Sequence, residues 1–134
     1  MHTWSVAKQA VAEHQGTAAS TYLIEKEQFQ DLTSGTYLGL ISVFEVQPGA
    51  TLKAHRHPTH EYWFVLEGSG IMQVAEEAKR IEVGELIYTP PNTPHMLLND
   101  GDQLFRAFCF AQSYEGQGSQ HVDVELAPVV LTGL

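Results

Sequence analysis

Between Thr36 and Phe110 the chain never runs far without meeting a turn, and this limits its fold more than any other feature. Strand-like runs rich in β-branched and aromatic residues occupy Thr36 to Val46, Leu52 to His57, Glu61 to Leu66, Gly70 to Ala75, Ala78 to Val83, Leu86 to Thr89, His95 to Leu98 and Gln103 to Phe110. Turn formers such as the Pro48–Gly49 pair separate them. Parallel strands require long helical crossovers, and none of these gaps is long enough, so the sheet must be mainly antiparallel. An all-β sandwich or barrel is therefore expected.

The flanks add less. A further β-rich run covers Ala18 to Glu25. From Thr3 to His14 the residues Val6, Ala7, Ala10 and Val11 recur at helical spacing, with Thr3 or Ser5 as N-cap and Gly16 as a stop. This pattern predicts one short N-terminal helix. After a loop from Gln112 to Gly118, Val122, Val124 and Leu126 alternate with polar residues ahead of an apolar end at Val129 to Leu131. An exposed apolar tail is a liability. It is expected either to cover its own barrel or, preferentially, to pair across a homodimer.

The 134 residues suffice for one domain that buries roughly two thirds of its unfolded surface. A single domain over 1–134 is expected, with its core barrel at about 36–110 and extensions at 1–35 and 111–134. Sixteen acidic against seven basic side chains give a net charge of −9, which disfavours nucleic acid. Cys109, the lone cysteine, excludes an intrachain disulfide and reads as a buried apolar residue. Residues Met1 to Lys8 show no secretory pattern, and no apolar run is long enough to span a bilayer, so cytoplasmic residence without membrane contact is expected.

The chemistry concentrates in Lys53 to Glu61. Side chains two apart on a strand share a face, so His55 and His57 present two nitrogens to one point. A turn containing Pro58 returns the Glu61 carboxylate beside them. A fourth donor needs another strand. His95 is the candidate, because it follows the Pro90–Pro91–Asn92–Thr93–Pro94 turn and starts an apolar run. Imidazole and carboxylate donors suit Fe, Mn, Ni, Co, Zn or Cu better than Ca or Mg, so one divalent transition ion per chain is expected. The competing reading, four ordinary polar residues of a sandwich, must explain why buried His and Glu side chains share this spacing.

These residues also carry a family resemblance. Gly49-x5-His55-x-His57-x3-Glu61-x6-Gly68 resembles the first cupin motif at every defined position. Gly84-x5-Pro90-x-Asn92-x2-His95-x3-Asn99, fifteen residues further on, resembles the second except at Asn92, where the family usually has Gly. Asn tolerates positive φ better than most residues, so the departure is mild. The resemblance implies a double-stranded β-helix (jelly-roll) barrel with a metal in one mouth, commonly as a homodimer.

Other residues are weaker candidates. Lys53 shares parity with His55 and His57 and is a candidate cation for a substrate carboxylate. Trp63, Phe44, Phe105 and Phe108 are candidates to line a substrate pocket, although an aromatic residue in a strand is often plain core. Tyr88, just before the Pro-rich turn, is a candidate acid, base or orienting donor. His60, out of phase with Glu61, is expected at the rim or in solvent. By analogy with the family, the preferred activity is a metal-dependent dioxygenase acting on a small oxygen-bearing molecule. The alternatives are Lewis-acid isomerase, cyclase or lyase chemistry on a sugar or keto acid, and a non-catalytic ligand-binding protein.

Overall fold

The computed structural model describes residues 1–24, 28, 32, 38–112 and 121–129. The strands among them are β1 (Val11–Glu13), β2 (Ala18–Tyr22), β3 (Leu38–Val46), β4 (Thr51–Arg56), β5 (His60–Glu67), β6 (Ser69–Val74), β7 (Glu77–Glu82), β8 (Leu86–Thr89), β9 (His95–Leu98), β10 (Phe105–Gln112) and β11 (Val122–Asp123). They form two sheets of order β1-β2-β3-β10-β5-β8 and β11-β4-β9-β6-β7. Every pairing is antiparallel.

Side-chain alternation places the core between the sheets. Along β10, Phe105, Ala107, Cys109 and Ala111 are buried, while Arg106, Phe108 and Phe110 face outward and are half-buried. This is the period of two that a strand imposes. The buried residues meet Leu40, Phe44, Val46, Trp63 and Val65 of their own sheet and Leu52, Met72, Ile81 and Leu97 of the other. Gly68 holds the β5–β6 corner at φ 75°, where a Cβ would lie 2.4 Å from the Leu104 carbonyl oxygen. Only glycine fits that approach.

The predicted N-terminal helix is not formed. Residues 1–10 carry no helix, and Val11–Glu13 pairs with Ala18–Ala19–Ser20 through a turn containing His14, Gln15 and Gly16 at positive φ. Four apolar residues at helical spacing supply too little stabilisation against a hairpin that docks on an existing sheet edge. The C-terminal segment lies on its own barrel. Val122 and Asp123 pair with Arg56 and His55, Val124 N–H donates to Ala54, and the Gln73 amide bonds Ala127 O at 2.7 Å and Val129 N at 3.0 Å. Most of the expected Gln112–Gly118 loop, the start of the Thr36–Val46 run and the end of the apolar tail lie outside the described residues.

Candidate metal centre

Two strands of one sheet and one of the other build the site. His55 on β4 and His95 on β9 are direct cross-strand partners. His57 follows β4, and Glu61 projects inward from β5 of the opposite sheet. The backbone of Asn92 secures this corner. Its N–H donates to His57 O at 2.7 Å, and it stands at φ 57°, the left-handed conformation inferred from its place in the second motif. All four side chains are buried, with His95 fully so.

The imidazoles are held by one nitrogen and left open at the other. Nδ1 of His55 lies 2.7 Å from Lys53 O, Nδ1 of His95 2.9 Å from Thr93 O, and Nδ1 of His57 3.1 Å from Thr59 Oγ1. Such partners fix ring orientation and tautomer in metal-binding histidines. The ligand atoms of His55, His57 and His95 lie within 4.8 Å of one another. Nε2 of His57 and of His95 is buried with no hydrogen bond. His57 Nε2 lies 2.7 Å from Glu61 Oε2, not aligned as a hydrogen bond, and His95 Nε2 lies 3.8 Å from Glu61 Oε1. Buried polar atoms without a well-aligned hydrogen bond are costly, and a cation shared with the Glu61 carboxylate would satisfy these. The three imidazoles can hold a metal ion.

The electrostatics fit the same use. Burial works to raise the Glu61 carboxyl, but the close imidazoles of His57 and His95 overcome it and hold the group well below the usual carboxylate range. Trp63 Nε1 donates to Glu61 Oε1 at 2.5 Å. Burial, followed by the neighbouring charges of His95 and His14, lowers His55 to about 2. The site thus presents neutral His55 and an anionic carboxylate, the protonation states that metal binding demands.

A cavity of about 30 Å³ adjoins the group and is lined in part by Glu13, Tyr22, Ser42, Phe44, Trp63 and Cys109. Tyr22 hydroxyl donates to Glu13 Oε1 in a short hydrogen bond. Burial and the Glu13 carboxylate raise the Tyr22 hydroxyl far above its ordinary value, so it remains protonated. Burial, with Glu61 beside it, likewise raises the Cys109 thiol. Cys109 is the buried residue expected, though it lines the cavity.

Phe44 and Trp63 face this cavity, as the sequence suggested. Phe105 does not; it is fully buried in the core behind Phe44. Lys53 is exposed, and its Nζ bonds Gln15 Oε1 at 2.9 Å. A register shift between Leu52 and His55 breaks the parity that would have turned Lys53 inward. Tyr88 is 45% exposed, and its hydroxyl bonds His60 Nδ1 at 2.6 Å on the outside of the barrel, away from the cavity. Phe108 also lies on the outward face of β10.

The sequence reading missed Glu13, His14, Tyr22 and His121. Strand parity through Ala18, Ser20 and Tyr22 offered a signal for Tyr22. His14 and His121 fall in no motif. They nevertheless stand close to His55, at ring centroid distances of 4.0 and 5.1 Å.

The model of the cupin domain matches residues 42–111. The chain belongs to the cupin family. This cupin is 29% identical over 125 residues to the tetracenomycin polyketide synthase protein TcmJ of Streptomyces glaucescens, covering 92% of this chain and 81% of that one. It is 31% identical over 74 residues to the dimethylsulfoniopropionate lyase DddW of Ruegeria pomeroyi, covering 55% of this chain and 49% of the relative. The matched region spans about half the length of the first curated relatives. Among solved structures, the polyketide cyclase RemF of Streptomyces resistomycificus is similar with a TM-score of 0.69 and 20% identity, over 95% of this chain and 85% of that one. The fold is accordingly the double-stranded β-helix barrel expected from the motifs. Among the described residues, no helix is long and apolar enough to cross a membrane.

Proposed function

We propose that this cupin is an enzyme using one divalent first-row transition ion, held by His55, His57, His95 and Glu61, for lyase or cyclase chemistry on a small, oxygen-rich, enolisable molecule. The observation that carries the reading is the convergence of three oriented, buried imidazoles on an ionised carboxylate beside a cavity. When bound, the ion supplies Lewis acidity toward carbonyl or enolate oxygens. Three His and one Glu leave positions open on an ion that prefers six ligands.

The chain's own residues divide the remaining work. Phe44 and Trp63 offer apolar walls to the carbon skeleton, and Trp63 holds Glu61 in place. Glu13 is the proton acceptor we assign, and the protonated Tyr22 orients it through their hydrogen bond. The names of a lyase, a polyketide synthase protein and a polyketide cyclase among similar proteins favour this chemistry over the dioxygenase expected from sequence. Dioxygen chemistry remains the second reading, because a His and carboxylate donor set also suits redox-active Fe, Mn or Cu.

The test begins with elemental analysis. We expect about one transition ion per chain, and absence of any ion after reconstitution overturns the proposal. Polyphenolic and β-keto substrates are then screened with and without O₂. Turnover that persists without O₂ supports the Lewis-acid reading, and strict dependence on O₂ replaces it with the oxygenase.

A further inference from the structure

His55 belongs to two groups at once. Besides its place with His57 and His95, it offers a ring nitrogen within 4.8 Å of those of His14 and His121. The His14 and His121 rings stack at 4.8 Å between centroids. Each of these two histidines also has a carboxylate near Nδ1. Asp123 Oδ1 lies 3.4 Å from His14, and Glu13 Oε2 lies 4.0 Å from His121. The Asp123 carboxylate is within hydrogen-bond reach of His14, the arrangement that orients metal-binding imidazoles, while Glu13 stands at ion-pair distance from His121.

We propose that His14, His121 and His55 form an outer position for a divalent transition cation at the mouth of the barrel, which an ion reaches from solvent before the inner one. The proposal rests on the inner group being the resident site. Exposure sets the order. The His121 side chain is 27% exposed and that of His14 6%, whereas those of His57 and His95 are wholly buried. The two positions exclude each other. His55 Nδ1 is engaged by Lys53 O, which leaves Nε2 as its one ligand atom, so an ion that takes His55 inward leaves the outer pair. Three nitrogen donors suit Zn²⁺ or Co²⁺ and disfavour Ca²⁺ and Mg²⁺.

The experiment uses the full chain, stripped with a chelator and titrated with Co²⁺ while its visible absorption is followed. The parent protein should saturate at one ion. A variant carrying His57→Leu and His95→Leu should still bind one ion, about tenfold or more weaker, and lose it when His14→Ala and His121→Ala are added. A folded Leu variant that binds no Co²⁺, or that keeps it after His14 and His121 are removed, overturns the outer position. Circular dichroism establishes folding. If the Leu variant does not fold, the rate of uptake decides. His14→Ala with His121→Ala in the parent should reach full occupancy about tenfold more slowly, and an unchanged rate overturns the proposal. A parent protein that takes up no Co²⁺ removes the inner site as well, which separates failure of that reading from failure of this one.

Discussion

At Glu61 two opposing influences meet, and their balance decides what the cavity can bind. Burial favours the neutral acid, while His57 and His95 favour the anion and prevail. Glu61→Gln keeps an acceptor for Trp63 Nε1 but removes the charge. It should weaken Zn²⁺ or Co²⁺ binding by about tenfold or more while leaving the fold intact, which calorimetric titration will read. The same residues set the acid sensitivity of the metal-free protein. His55, lowered to about 2 in the fold, stays neutral where the unfolded chain takes up a proton below its ordinary 6.5. Stability is therefore lost as pH falls from 6.5 toward 2, by about 2 kcal/mol between pH 6.5 and 5. Glu61 acts in the same direction. Its lowered pKa contributes stability above its ordinary 4.5, and this is lost as pH falls further. Denaturant midpoints of the metal-free protein across this range check the slope, and a flat profile contradicts the buried, neutral His55. Asn92, at φ 57°, should accept Gly within about 0.5 kcal/mol but lose about 1–2 kcal/mol as Val, because a β-branched residue is strained there.

The elements place these residues, and they do so unevenly with respect to sequence. The runs Leu86–Thr89 and His95–Leu98 coincide with β8 and β9, and Leu52–His57, Glu61–Leu66, Gly70–Ala75, Ala78–Val83 and Gln103–Phe110 match β4, β5, β6, β7 and β10 within two residues at each end, because turns and alternation are local properties. The inner group was legible for the same reason. His55 and His57 sit two apart, Glu61 follows one turn later, and His95 is fixed by a proline-rich turn. The features that were not legible depend on tertiary pairing. The bulge in β4 that turns Lys53 outward arises where β4 meets β9. Of the residues read as an N-terminal helix, Val11–Glu13 instead become β1 because β2 is already docked on β3. His121 reaches the mouth through the C-terminal segment, whose course depends on Gln73 of β6. Gln73→Ala removes both hydrogen bonds to that segment. At about 1 kcal/mol each, their loss should speed amide exchange at Val129 by roughly tenfold or more, with little change on β9. Equal exchange in parent and variant would show that something other than Gln73 holds the segment down.

At the scale of the whole molecule, the homodimer expected from the family resemblance remains a proposal. The described part of the C-terminal segment is occupied with its own barrel. Apolar side chains stay exposed on β5 and β8, namely Phe64, Leu66 and Leu86. Light scattering should give the mass of two chains, and the mass of one refutes the dimer. An ion in the proposed inner group would add a second tie between the sheets beside their shared core. Glu61 comes from one sheet and His55 and His95 from the other, so an ion in the inner group cross-links them in the folded state alone. Ligands that bind only the native form stabilise it by mass action, about 2.7 kcal/mol at a hundredfold excess over Kd. For a domain of this size that is a rise in Tm of about 10 °C. Calorimetry with and without Zn²⁺ should show this rise in the parent, and a chelator should reverse it. Glu61→Gln removes the donor of one sheet and should lose most of the rise, while the remaining imidazoles keep some affinity. Full retention of the rise in Glu61→Gln would mean that the ion is held by one sheet alone, and the carboxylate would then have to be reassigned from ligand to bystander.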